Sequence, residues 1–170
     1  MDCNARAPRG YKAALAACFL FPWAGASHAG TATTNFTVSA TVVATCTINS
    51  ASTLNFGNNI GVLAANIDQS STIQVTCTNT TPYSIGLDVG TGSGATVAVR
   101  KLTSGGATIN YTLYSDSGHN TVWGNTPPTD TVAGTGNGSA QSFTVFGRIP
   151  PQTTPAPGAY TDTITVTVNY

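Results

Sequence analysis

The stretch "TTNFTVSATVVATC", residues 33–46, alternates apolar and polar residues from Phe36 through Val38, Ala40, Val42 and Ala44 to Cys46, with no Gly, Pro or Asp on which to turn. Alternation of period two is the pattern of a β-strand with one buried face. At about 3.3 Å per residue the run would reach roughly 45 Å, more than twice the usual strand length of about 17–20 Å. A strand this long needs a partner beyond its local neighbours.

Upstream of it, residues 1–29 read as an export signal. Arg6, Arg9 and Lys12 form a basic start, "AALAACFLF" (13–21) is a short apolar core, and "SHA" (27–29) offers small residues for cleavage. The apolar run is too short to span a bilayer, so no membrane insertion is expected. No adjacent Arg pair precedes the core, which excludes a twin-arginine signal.

Cleavage after Ala29 leaves 141 residues, enough for one domain. Its charges are Arg100, Lys101 and Arg148 against Asp68, Asp88, Asp116, Asp130 and Asp162, so 3 minus 5 gives a net −2. Such a surface cannot neutralise a row of phosphates, and nucleic acid is excluded as a partner. The 30 threonines of this portion suit the solvent faces of strands.

Cys3 and Cys18 leave with the signal, and Cys46 and Cys77 remain. Two cysteines in an exported chain are most simply one disulfide. Zinc is the competing reading, but two thiols and His119 supply at most three ligands without metal-site spacing. No metal and no cofactor is expected.

Strand signals recur downstream at "TLNFG" (53–57), "STIQVTC" (71–77), "YSIGLDV" (83–89), "ATVAVRKL" (95–102), "TINYTLY" (108–114), "QSFTVFGRI" (141–149) and "YTDTITVTVNY" (160–170), separated by Gly, Pro, Asn and Ser clusters. No segment sustains a helical apolar period. The spacing predicts an all-β, two-sheet antiparallel sandwich. In the last strand Tyr160, Ile164, Val166, Val168 and Tyr170 share one side, and threonines and Asn169 take the other.

A domain that opens with twice the strand it can use, and ends on a strongly patterned one, suggests a displaced element. If residues 41–49 form the domain's own first strand, with Cys46 beside Cys77, then residues 30–40 project as an arm. An unpaired apolar strand is an aggregation hazard in a monomer. In a polymer it can complete a neighbour's sheet, as in donor-strand complementation.

Catalytic chemistry has little to work with. "DSGH" (116–119) brings Asp, Ser and His together in sequence, but a triad needs a scaffold to hold them apart in the right order, and Asp-Ser-Gly is an ordinary turn. Trp123 with Tyr111 and Tyr114 could form a sugar-stacking platform, although aromatics alternating along "INYTLY" more often belong to a sandwich core. The chain is not expected to be an enzyme.

The segments "TVVATCTI", "LNFG", "IQVTC", "INYTLYSDSGHNTVWG" (109–124) and "FTVFGRIPPQTTPAPGAYTDTITVTVNY" (143–170) resemble the spore coat protein U domain family, the pilin subunits of archaic chaperone-usher pili. The resemblance implies an incomplete immunoglobulin-like β-sandwich over residues 41–170, with six strands and a seventh supplied in trans. It implies a periplasmic chaperone that lends a strand, an outer-membrane usher that exchanges it for the arm of the next subunit, and a homo-polymer or mixed fibre at the cell surface. The arm's groove-facing residues would be Phe36, Val38, Ala40 and Val42. The family's disulfide maps onto Cys46 and Cys77. The groove and chaperone-docking strand maps onto Ile164, Val166, Val168 and Tyr170. Two further readings stay open: a one-domain carbohydrate-binding module or minor adhesin with its pocket near Trp123, and a protective coat component of resting cells.

Overall fold

The computed structural model describes residues 28–170, so the expected signal lies almost wholly outside the described residues. The chain divides into two units, Met1–Ser39 and Ala40–Tyr170. In the first, the described residues 28–39 are exposed and form neither strand nor helix. Among the described residues the second holds eight strands: β1 (Cys46–Ala51), β2 (Ile67–Cys77), β3 (Pro82–Leu87), β4 (Arg100–Ser104), β5 (Ala107–Tyr114), β6 (Val132–Thr135), β7 (Ala140–Ile149) and β8 (Val166–Asn169).

The strands form two antiparallel sheets, one of five in the order β1-β2-β7-β5-β4 and one of three in the order β6-β3-β8. This is the all-β sandwich that the turn spacing predicts, and among the described residues no helix interrupts it. The eight segments exceed the six that the resemblance implies because short pieces pair on their own, as β6 does over four residues against β3.

Alternation puts one face of each long strand into the core. Ile73, Val75 and Cys77 of β2, Ile109, Tyr111 and Leu113 of β5, and Val145 and Ile149 of β7 meet Tyr83, Ile85 and Leu87 of β3. Each such aliphatic burial is worth about 1.5–3 kcal/mol relative to exposure, which fixes the register of every strand that contributes one. Gly147, at the inward parity of β7, leaves room for the segment after β1: a Cβ there would stand 2.8 Å from Leu54 and 2.9 Å from Phe56.

A charged clamp closes one end of the core. Arg100 at the start of β4 is fully buried, and its guanidinium donates to four backbone carbonyls: Leu87 (3.0 Å), Asp88 (2.8 Å), Val97 (2.8 Å) and Trp123 (2.7 Å). Trp123 beside it is 1% exposed and donates its indole N–H to the Ile85 carbonyl at 2.8 Å. Hydrogen bonds to a charged group are stronger than neutral ones, and the clamp ties β3, β4 and the 123–124 segment together.

Several strand bounds differ from the alternation. The first strand begins at Cys46 rather than residue 41, and Val42 and Ala44 are exposed ahead of it, without the inward parity of Cys46. "TLNFG" is not a strand, although Leu54 and Phe56 still pack on the core. Only residues from Arg100 onward in "ATVAVRKL" pair, and only Val166–Asn169 of the last run ladder against β3. The common cause is the lack of a backbone partner in register, which side-chain pattern alone does not reveal.

Candidate functional site

Two sheet edges are open on the same flank of the sandwich. β1 is bonded only to β2, and β8 only to β3. The two strands approach each other, yet no ladder joins them. An exposed edge is a row of unpaired N–H and C=O groups, ready to bond a further strand.

Between the sheets at this flank lies a cleft of about 290 Å³. Ala51 at the end of β1 and residues 52–54 after it form one wall, and residues 162–164 with Val166 form the other. Its floor is apolar: Ile73 of β2, Tyr111 and Leu113 of β5, Val145 of β7 and Leu87 of β3. Phe56 packs edge-on to Tyr111, with ring centroids 5.9 Å apart, and narrows one end.

The segment before β8 keeps strand-like alternation without a full ladder. Tyr160, Asp162, Ile164, Val166 and Val168 are half-buried, and the intervening residues are exposed. Three polar attachments hold it, the first a backbone bridge in which Thr161 and Thr103 of β4 exchange N–H···O=C bonds of 2.8 and 3.1 Å. The Asp88 carboxylate accepts the Thr165 N–H at 2.9 Å and the Gly90 N–H at 3.0 Å, while the Thr165 carbonyl accepts the Asp88 N–H at 3.1 Å. Burial would raise the Asp88 carboxyl, but those hydrogen bonds outweigh it and hold it below the usual range.

Asp162 is the polar point of the cleft wall. Its carboxylate accepts from the Tyr111 hydroxyl (2.8 Å), from the N–H and hydroxyl of Thr91 (2.7 and 2.8 Å), and from the Thr163 N–H (2.8 Å). Burial, and then the bond to Asp162, push the Tyr111 hydroxyl far above the ordinary phenol range, so it stays a proton donor. Gly90, at φ +80, gives this carboxylate its room, since a Cβ there would collide with it.

Cys46 and Cys77 form the expected disulfide, their Cα atoms 4.1 Å apart on directly opposed positions of β1 and β2. Of the docking-strand residues, Ile164 and Val166 line the cleft, Val168 packs on the core, and Tyr170 is 62% exposed beyond the end of β8. Phe36, Val38 and Val42 are 85%, 82% and 83% exposed, and Ala40 is exposed too. The pattern did not single out Leu54, Phe56 or Asp162 as parts of the site. The inward parity of Asp162, between Tyr160 and Ile164, was the signal available for it.

The rival sites lose their geometry. Trp123 and Tyr111 are buried in the core and offer no sugar platform. In "DSGH" the Asp116 carboxylate accepts the N–H groups of Asn120 and Thr121, so it is engaged by its own turn and not by His119. Among the described residues no group of three metal-ligating side chains comes together.

Comparison with curated protein sequences gives no significant match. Among solved structures, the chain is similar to one in the crystal structure of the CsuC-CsuE chaperone-tip adhesion subunit pre-assembly complex from archaic chaperone-usher Csu pili of Acinetobacter baumannii. The two are 26% identical with a TM-score of 0.55, over 76% of this chain and 40% of that one. The present chain thus spans less than half the length of that relative. The model of the Spore Coat Protein U domain family matches residues 32–167, nearly the whole portion that follows the expected signal. This chain belongs to the Spore Coat Protein U domain family.

Proposed function

We propose that this protein is a structural, non-catalytic subunit of an archaic chaperone-usher pilus, exported through the periplasm and polymerised by donor-strand exchange. The observation that carries the reading is the open apolar cleft between two unpaired strand edges, in a chain that also possesses an exposed, alternating arm. A strand entering between β1 and β8 would bond both edges and place every second side chain into the cleft. The periplasmic chaperone supplies that strand first, and the outer-membrane usher then exchanges it for the arm of the next subunit, residues 30–40 with Val42 just beyond. Phe36, Val38, Ala40 and Val42 are the inward-facing set. Residues 164–170, which include β8, are the part gripped by the chaperone. Adhesion or biofilm formation is the role of the finished fibre.

Co-expression with a chaperone from the same gene neighbourhood tests this reading. The chain should be recovered as a one-to-one complex, and addition of usher should produce ladders on unheated denaturing gels. Removal of residues 164–170 deletes core and docking edge together, and the truncated chain should be degraded even with chaperone present. Recovery of a stable, soluble monomer that ignores chaperone would refute the proposal.

A further inference from the structure

Outside the cleft, the chain just ahead of β1 is held by one side chain. Thr78 follows Cys77 at the end of β2 and Thr45 precedes Cys46, so the two threonines stand one position beyond the opposed half-cystines. The Thr78 N–H donates to the Thr45 carbonyl at 2.9 Å, as in an antiparallel ladder. The return bond is different. The Thr78 carbonyl is engaged by the turn that follows β2, where it accepts the Thr81 N–H at 3.1 Å. The Thr78 hydroxyl stands in for it. Its Oγ1 accepts the Thr45 N–H at 3.1 Å, and its own proton is within reach of the carbonyls of Thr45 and Val43, each at 3.2 Å.

Side-chain burial contributes little here. Residues 43–45 are exposed, Val43 at 68%, so hydrogen bonds are what hold them. Accepting from one amide while donating to a carbonyl two residues earlier needs a group that is donor and acceptor at once, which a hydroxyl is and a methyl is not. The turn that presents the hydroxyl is itself fixed. Thr80 has φ 63, in the left-handed region where a β-branched residue is an outlier. Bonds to the turn between β6 and β7 keep it there: the Thr80 N–H donates to the Gly136 carbonyl and the Gly136 N–H to the Thr81 carbonyl, both at 2.8 Å. Strain of this kind persists only where the surroundings over-determine it.

This attachment stands at the joint of the proposed fibre. The inward-facing set of the arm ends at Val42, and Val43 is already bonded to Thr78. With Val42 seated in a neighbour's cleft and Val43 fixed to its own subunit, no unbound residue separates the two bodies. Release of the Thr78 bonds would free residues 43–45 and turn a direct junction into a tether of up to about 10 Å.

We propose, resting on the donor-strand reading above, that the Thr78 hydroxyl is a positioning group for assembly: it pins residues 43–45, the root of the arm, to the end of β2 and so fixes the angle between successive subunits. Thr78 lies outside the lining of the cleft, so it governs how subunits are oriented and not whether they join.

Thr78→Val removes the hydroxyl and Thr78→Ser keeps it. Amide exchange at Thr45, followed by NMR on the chaperone-bound subunit, reads the pin without any fibre. It should quicken about two- to tenfold in Thr78→Val, the range for one net hydrogen bond, and stay at the wild-type rate in Thr78→Ser. Electron micrographs of assembled fibres read the joint. Ladders on unheated denaturing gels should be as long for Thr78→Val as for the wild type, while the spread of angles between neighbouring subunits widens; Thr78→Ser should restore the wild-type spread. Unchanged Thr45 exchange in Thr78→Val, or an unchanged spread of angles in fibres that assemble normally, would overturn the pin. Absence of ladders from the wild type would instead overturn the donor-strand reading, and the role of the pin in assembly with it.

Discussion

Val38→Asp gives the most direct test of how subunits join. Phe36, Val38 and Val42 are each more than four-fifths exposed, so nearly their whole side-chain surface is available for transfer into a neighbour's cleft. Full burial is worth about 1.5–3 kcal/mol for each, or roughly 5–9 kcal/mol for the three before association costs are subtracted. Ala40 adds little. If the arm enters the cleft as proposed, aspartate at 38 removes about a third of that gain and places a carboxylate against a floor of Ile73, Leu87, Leu113 and Val145. An unpaired charge there costs several kcal/mol more, so the combined loss of at least ~4 kcal/mol weakens capture about a thousandfold. The subunit's own core does not include Val38 and should be unaffected, so thermal melting of the chaperone-bound form should match the wild type. The assay is the ladder on unheated denaturing gels, which wild type should show and Val38→Asp should not. Normal ladders from the mutant would refute the reasoning, as would a wild type that stays monomeric.

Mass measurement on protein recovered from the periplasm should find no free thiol at Cys46 or Cys77, and reduction should lower unfolding stability by about 2–5 kcal/mol in denaturant titrations. Arg100→Met keeps the length of the side chain but strips four carbonyls of their donor; each buried acceptor left unpaired costs about 1–3 kcal/mol, so a loss above ~4 kcal/mol is expected in the same titrations. Asp68, Asp88 and Asp116 all have folded-state carboxyls below their ordinary range, so the unfolded chain takes up protons first. Their contribution is complete at neutral pH and is lost as pH falls below about 4, which acid unfolding followed by tryptophan fluorescence should display.

What the sequence made legible is the part of the fold in which side-chain alternation and backbone pairing coincide. "STIQVTC", "TINYTLY" and "QSFTVFGRI" alternate, bury one face and find partners on both sides or in a long hairpin, and they are β2, β5 and β7. Residues 33–45 and 160–165 alternate as clearly but are not laddered, because alternation reports a face that wants burial and not the presence of a neighbouring strand. β6 escaped notice for the opposite reason. "VAGT" has almost no strand character, and it pairs because Gly134 lets β3 approach: a Cβ there would stand 2.5 Å from the Tyr83 ring. Of the cleft, the Ile164 and Val166 wall was visible in the pattern. The opposite wall was not, since Leu54 and Phe56 lie on a coil whose path is set by the space above Gly147.

The bridge between Cys46 and Cys77 also has a mechanical meaning for a fibre built in the proposed way. Tension on such a fibre would enter each subunit through the chain just ahead of Cys46, the first residue of an edge strand. Pulled from that end, six residues of β1 would peel from β2 one rung at a time, the weakest way to load a sheet. The covalent link at the first rung forwards the force past β1 into β2, which is bonded to β7 along ten paired positions. It also places the 30 residues between the two cysteines outside the load path, so roughly 100 Å of slack cannot be paid out while the bridge is intact. Stretching single fibres with and without reductant should therefore change the length of each release step as well as the force at which it occurs.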